Sequence, residues 1–468
     1  ITNNGSLISN STDVTMGSAL INNGTTTISL TSGSWNQTGT VSNNGTITIS
    51  SGTYTGSNTF TNNSGAILDY SGTTFDENSV FTNSSGGTVN VSGAWYQSAN
   101  FTNSGAFTAT TGTFTVDGNV GRDFNPGGGT FYNLNINKSD GVLTLLGNFS
   151  VSNDLTLNNG NGGYQNLQCI TGAYTANVYG NITHIQGGVY SIVFNLYGNG
   201  KTFSHTGGLF SSTVNYQGNT NIYQTGGSIS STYTVYNGVT ATLTSNNTIS
   251  GVTWVNNGTV LAGGYDITAA TFTNNGSFNS GAGTFIFTGT FNSSGTFIGS
   301  DSDVIDMNGA FSSTGIVTPT SGTWYQSGNF TDSGTAFSMT SGAFVVDPSA
   351  TITLTANASG TTAFNDLTVA ANISNGAVNI VNNFNVNGDL SFTGTTASGN
   401  SSWISCPANN CIITAAKNVT VTRDGTSSNN QTWVGNSGAS QNFTIKMTGG
   451  TQSSPTTLTV SQTGTGGL

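Results

Sequence analysis

Short alternations of apolar and polar residues, closed by Asn, Gly or Ser, run along nearly the whole chain, as in TITIS at Thr46–Ser50. A period of two marks a strand with one buried face, and no stretch carries the three-and-four spacing of an amphipathic helix. The strands are too short to be stable alone, so each must lie on neighbours and share their hydrogen bonds.

The alternations are themselves periodic. TNNGSL, INNGTT, VSNNGTI, FTNNSGAI, FTNSSGGTV and FTNSGAF place Gly5, Gly24, Gly45, Gly65, Gly86 and Gly105 at intervals of 19 to 21 residues. Gly33, Gly52, Gly72, Gly93 and Gly112 keep the same interval in a second register. WVNNGTV, FTNNGSF and FNSSGTF bring the pattern back at Gly258, Gly276 and Gly295, and it continues through Gly315 and Gly334. Between the two runs, HIQGG, HTGG and QTGG hold Gly187, Gly207 and Gly226 at that spacing. A longer duplication overlies the short one: SGAWYQSANFTNSGAFTATTGTFTVD, ending at Asp117, returns as SGTWYQSGNFTDSGTAFSMTSGAFVVD, ending at Asp347.

A unit of about 20 residues with room for strands and turns but no helix predicts an all-β fold, a parallel β-helix (β-solenoid) with one coil per repeat and two related halves. Phe and Ile should stack inward, Ser and Thr should face water, and Asn and Gly should occupy corners, where both tolerate positive φ and stacked Asn amides can bond along the ladder. Solenoid repeats are expected over 1–118 and 171–347, the latter repeating the first run from about 250. The stretches 119–170 and 348–468 lose the strict spacing and read as irregular β segments, wider coils or inserts. Tandem β-sandwich modules are the rival architecture.

Composition narrows the function. Only 5% of residues are charged, yet 10% are aromatic, so the chain has ample surface to bury and does not read as disordered. Six Lys and Arg in total, against a net charge of −11, leave no basic stripe for nucleic acid. No apolar run approaches the ~18 residues of a membrane helix. The chain starts and stops within its repeat pattern, which points to a polypeptide that continues at one or both ends. Cys406 and Cys411 are close enough in sequence for a local disulfide, reduced thiols being the other reading, and Cys169 is left over.

The NNGT and FTNxG coils, with FYNLNI at Phe131 and FNDLTV at Phe364, resemble the secreted repeat proteins of microbial surfaces, the filamentous-haemagglutinin and autotransporter-adhesin class. The resemblance implies export to the cell surface or medium, β-helical folding, and a part in adhesion, coating or filament building. It carries over no site residue.

Catalytic chemistry is thinly provided. The basic residues are scattered, Glu77 is the sole glutamate, and adjacent Asp76 and Glu77 would point to opposite faces of a strand. No cofactor is expected, calcium apart: Asp301, Asp303 and Asp306 form the densest acidic cluster, with Asp301 and Asp303 on one face. His184 and His205 align with Gln224 in successive units and read as a stacked polar face. Asn23, Asn44, Asn100, Asn181, Asn257, Asn275 and Asn329 lie in glycosylation sequons, which a chain so rich in Asn, Ser and Thr also generates by chance. Trp95, Tyr96, Trp324 and Tyr325 would serve glycan binding if exposed, although their place in the repeat favours interior stacks. The expectation is therefore a non-enzymatic extracellular structural protein that joins copies of itself into a filament, fibre or surface layer. A glycan-binding adhesin is the alternative, and a polysaccharide-active β-helix enzyme the remoter one.

Overall fold

Three strands per coil account for the repeat. In the computed structural model, Phe60–Asn62, Ile67–Tyr70 and Thr74–Glu77 form one turn, and Phe81–Asn83, Thr88–Val91 and Ala94–Gln97 form the next, each strand pairing in parallel with its counterpart. The structure describes residues 1–10, 12–160, 166–170, 172–230, 232–300, 302–319, 322–370, 377–395, 401–406, 411–424, 431–434, 443–448 and 458–463, and among them there is no helix. The fold is a parallel β-solenoid in two units, Ile1–Thr232 and Tyr233–Leu468. Parallel coil-on-coil pairing excludes β-sandwich modules, whose hairpins are antiparallel.

In-register pairing sets equivalent residues of successive coils one strand spacing apart, ~4.8 Å, so an aromatic residue meets an aromatic residue. In the first unit Trp35, Tyr54, Phe75, Trp95 and Phe114 form one such column, in which the Phe75 and Trp95 rings stack with centroids 3.9 Å apart. Phe60, Phe81, Phe101 and Phe124 form another. The second unit repeats the device with Trp254, Phe272, Phe291, Phe311 and Phe330. Every phenylalanine whose side chain is described is buried.

The asparagine amides bond along the ladder as expected, but from the interior and without a positive φ. Asn22, Asn43, Asn62, Asn83 and Asn103 are interior; Nδ2 of each of the first four donates to the Oδ1 one coil on at 2.8 Å, and that of Asn103 to the Pro126 carbonyl at 2.9 Å. Among the described non-glycine residues only Ser191 and Asn382 have positive φ, so these corner asparagines satisfy buried polar groups rather than bend the chain. The NNG glycines Gly5, Gly24, Gly45, Gly258 and Gly276 are also not left-handed. A Cβ on Gly45 would collide with the carbonyl oxygen of Gly24, and one on Gly276 with that of Gly258, so close coil approach excludes larger residues there.

The stretches that lose spacing are wider coils. Leu155 still pairs with Ile182 and Leu390 with Val419, so the ladder is kept across the longer intervals.

Candidate functional site

The sole glutamate and both histidines face inward. The interior column at the end of one strand row reads Met16, Gln37, Gly56, Glu77, Gln97, Val116, Ile136, Leu157, His184, His205 and Gln224. Glu77 is fully buried, accepts a hydrogen bond from the Tyr54 phenol at 3.2 Å and another from the Ser79 amide at 3.0 Å. Burial pushes its carboxyl up to about 8, against those two hydrogen bonds.

The two histidines do occupy equivalent positions, but inside the solenoid rather than on a polar face. Their rings stack at 4.9 Å, and Nδ1 faces Nδ1 at 2.8 Å, so one ring donates and the other accepts. Burial lowers His184 to about 3, with the neighbouring His205 adding to the effect, and burial lowers His205 to about 4. Neither Nε2 has a hydrogen-bond partner.

Two of the three candidate calcium ligands, Asp303 and Asp306, part company. Asp303 turns inward, where Ser280 Oγ donates to it at 2.6 Å and the Ser300 amide at 3.1 Å, whereas Asp306 lies on the outward side of Val304–Met307. Three positions apart on a strand, the two side chains point to opposite faces. Asp301 lies outside the described residues, and no group of three or more His, Cys, Asp or Glu suited to a metal occurs among the described residues. Cys406 and Cys411 are joined by a disulfide, both buried, with Cα atoms 5.9 Å apart. Cys169 is a free, half-buried thiol.

The sequon asparagines fall into two groups. Nδ2 of Asn23, Asn44 and Asn275 donates along an outer ladder to Asn4, Asn23 and Asn257. Asn181 donates to Asp154. Asn100 and Asn329 instead accept through Oδ1, from the amides of Asp123 and Thr353; Asn257 accepts from Asn275.

The aromatic pairs divide between inside and outside. Trp95 and Trp324 are fully buried, each indole donating to the Gln two residues on, whereas Tyr96 and Tyr325 are 40% and 37% exposed. Around each tyrosine lies the same outward grid. In the first unit Tyr96 sits in register between Asp76 and Thr115, and the next outward positions are Asn78, Ser98 and Asp117. In the second unit Tyr325 sits between Asp306 and Val345, beside Asn308, Ser327 and Asp347. Ser98 Oγ donates to Asp117 at 2.6 Å, and Ser327 Oγ to Asp347 at 3.0 Å. Partial burial raises Asp76 against its bond with Asn78, and the charge of Asp117 adds to the rise. Asp306 is raised in the same way, opposed by Asn308 and helped by Asp347.

Sequence reading reached the tyrosines but missed these partners. The available signal was the D-x-N of Asp76–Asn78 and Asp306–Asn308, one coil before each WYQS. It is short and lies upstream of the obvious duplication.

No family model matches the chain. No curated protein and no solved structure matches it either.

Proposed function

We propose that the chain is an extracellular structural protein that associates with copies of itself into a fibre or surface layer, in the manner of the secreted microbial repeat proteins that its coils resemble. The observation that carries this reading is the interior ladder, in which Asn22, Asn43, Asn62, Asn83 and Asn103 offer each neighbouring coil the same donor and acceptor. Rungs of this kind stack on like rungs, and a strand edge recruits a matching edge. The Cys406–Cys411 disulfide fits an oxidising compartment. Glu77, His184 and His205, which a catalytic reading would need at a surface, are used inside the ladder.

Electron microscopy of the purified full chain under native conditions tests this reading. Ordered filaments or sheets with a regular repeat are expected, and a monodisperse monomer persisting at high concentration overturns it.

A glycan-binding adhesin is the second reading, favoured by the exposure of Tyr96 and Tyr325 beside hydrogen-bonding side chains. Binding of the folded chain to immobilised glycans is its test.

A further inference from the structure

We infer that the tyrosine-centred grid is a binding site for neutral polysaccharide, built once in each unit; this deepens the adhesin reading and rests on it. The argument starts from what the duplication kept and what it changed. Along Thr74–Glu77 and its counterpart Val304–Met307, inward Phe75 became Ile305 and inward Glu77 became Met307, while outward Asp76 and the following Asn78 returned as Asp306 and Asn308. The outward Asp and the Asn after it therefore persist on a strand whose inward residues changed, whereas on the next two coils inward Trp95, Gln97, Phe114 and Val116 return as well, as Trp324, Gln326, Phe344 and Val346. Tyr96, Ser98 and Asp117 returned as Tyr325, Ser327 and Asp347. Four outward side chains recur around an exposed ring that recurs with them, although a solvated strand face needs none of them in particular.

The chemistry of the grid selects the ligand. Tyrosine offers an apolar ring that packs against the C–H face of a pyranose, with a hydroxyl at its tip. Carboxylates and an amide on either side accept from and donate to vicinal hydroxyls, and charged acceptors make the stronger bonds. Ser98 and Ser327 hold Asp117 and Asp347 in place before any ligand arrives, which lowers the cost of ordering on binding. Two carboxylates per grid on a chain of net charge −11 repel uronic, sialylated and sulfated sugars, so the ligand is an uncharged glycan. The coils present the grid on a rigid parallel face, which suits an extended polymer better than a single sugar.

Isothermal titration of the full chain, in chelator so that no bridging cation contributes, tests the site with cellohexaose, laminarihexaose and mannohexaose, and with oligogalacturonate as the acidic arm. At least one neutral hexasaccharide is expected to bind at two sites per chain. Tyr96→Ala and Tyr325→Ala should each leave one site, and the double variant none, with thermal unfolding unchanged. Two sites persisting in the double variant would overturn the assignment while leaving a glycan-binding chain. Binding of oligogalacturonate alone would overturn it too, and no binding in any arm would remove both the site and the adhesin reading.

Discussion

Glu77 and Tyr54 meet inside the solenoid, phenol to carboxyl at 3.2 Å, in space left open by Gly56, the residue paired directly with Glu77. A Cβ on Gly56 would collide with the Glu77 carboxyl and lie 2.6 Å from the Tyr54 hydroxyl. The carboxyl holds its proton to about pH 8 in the folded chain, against an ordinary value of 4.5. Between these values the unfolded chain has lost the proton and the folded chain keeps it. This stabilisation is therefore complete below about pH 4.5 and is lost as pH rises through 8, by at most about 1.4 kcal/mol per pH unit. Raising the pH from 5 to 9 should lower the first unit's melting temperature, and Glu77→Gln should flatten the fall. Equal slopes for the two proteins would refute the assignment. Gly56→Ala should cost about 1–3 kcal/mol at any pH.

The His184–His205 pair has the opposite sign. Unfolded histidines take up protons near pH 6.5, while the folded rings stay neutral down to about 3 and about 4. Stability from this pair is intact above pH 6.5 and drains away as the pH falls below it. Replacing both by Leu should remove that acid sensitivity. Replacing only His184 leaves the Nδ1 of His205 without its partner, at a cost of about 1–3 kcal/mol. A thermodynamic cycle over the two singles and the double at pH 7 should show strong coupling, and strict additivity would argue against the shared hydrogen bond.

The solenoid was legible because its core is written in a one-coil period: Phe60, Phe81 and Phe101 recur in sequence as they stack in space. Less legible was what each repeated residue does. The amide ladder through Asn43 follows from stacking, but its burial does not, and Gly45 looks like a turn residue yet is a gap for a carbonyl, which only the coil below reveals. The acidic run at Asp303 and Asp306 misled because alternation sent its members to opposite faces. The outward grids were hidden for a related reason. Their members lie a full coil apart, so Asp76 and Tyr96 become neighbours only through pairing.

The inner and outer asparagine ladders should differ in energetic weight. Asn62 bonds Asn43, Asn83 and the carbonyl of Thr88 with no exposure to water, whereas Asn44 bonds Asn23 and Asn63 at the surface. Asn62→Ala leaves buried donors and acceptors unpaired, and should cost about 2–4 kcal/mol. Asn44→Ala lets water replace the lost bonds, and should stay within about 0.5 kcal/mol. Chemical denaturation followed by tryptophan fluorescence ranks the two, and equal losses would show that burial is not what makes the inner ladder matter.

Trp95 and Tyr96 are consecutive, yet the structure assigns them separate tasks. The Trp95 ring lies between Phe75 and Phe114, at 3.9 Å and 5.6 Å, and its indole reaches Gln97 at 3.3 Å. Trp95→Ala should destabilise the first unit by about 3–5 kcal/mol through the cavity it opens. Any loss of binding in that variant would then follow from unfolding. Tyr96 projects to solvent, so Tyr96→Ala should leave stability within about 0.5 kcal/mol and expose only its role at the surface. Melting curves of the two variants recorded side by side decide the matter. A Tyr96→Ala protein as unstable as Trp95→Ala would make the tyrosine part of the packing and remove the reason to treat its exposure as functional.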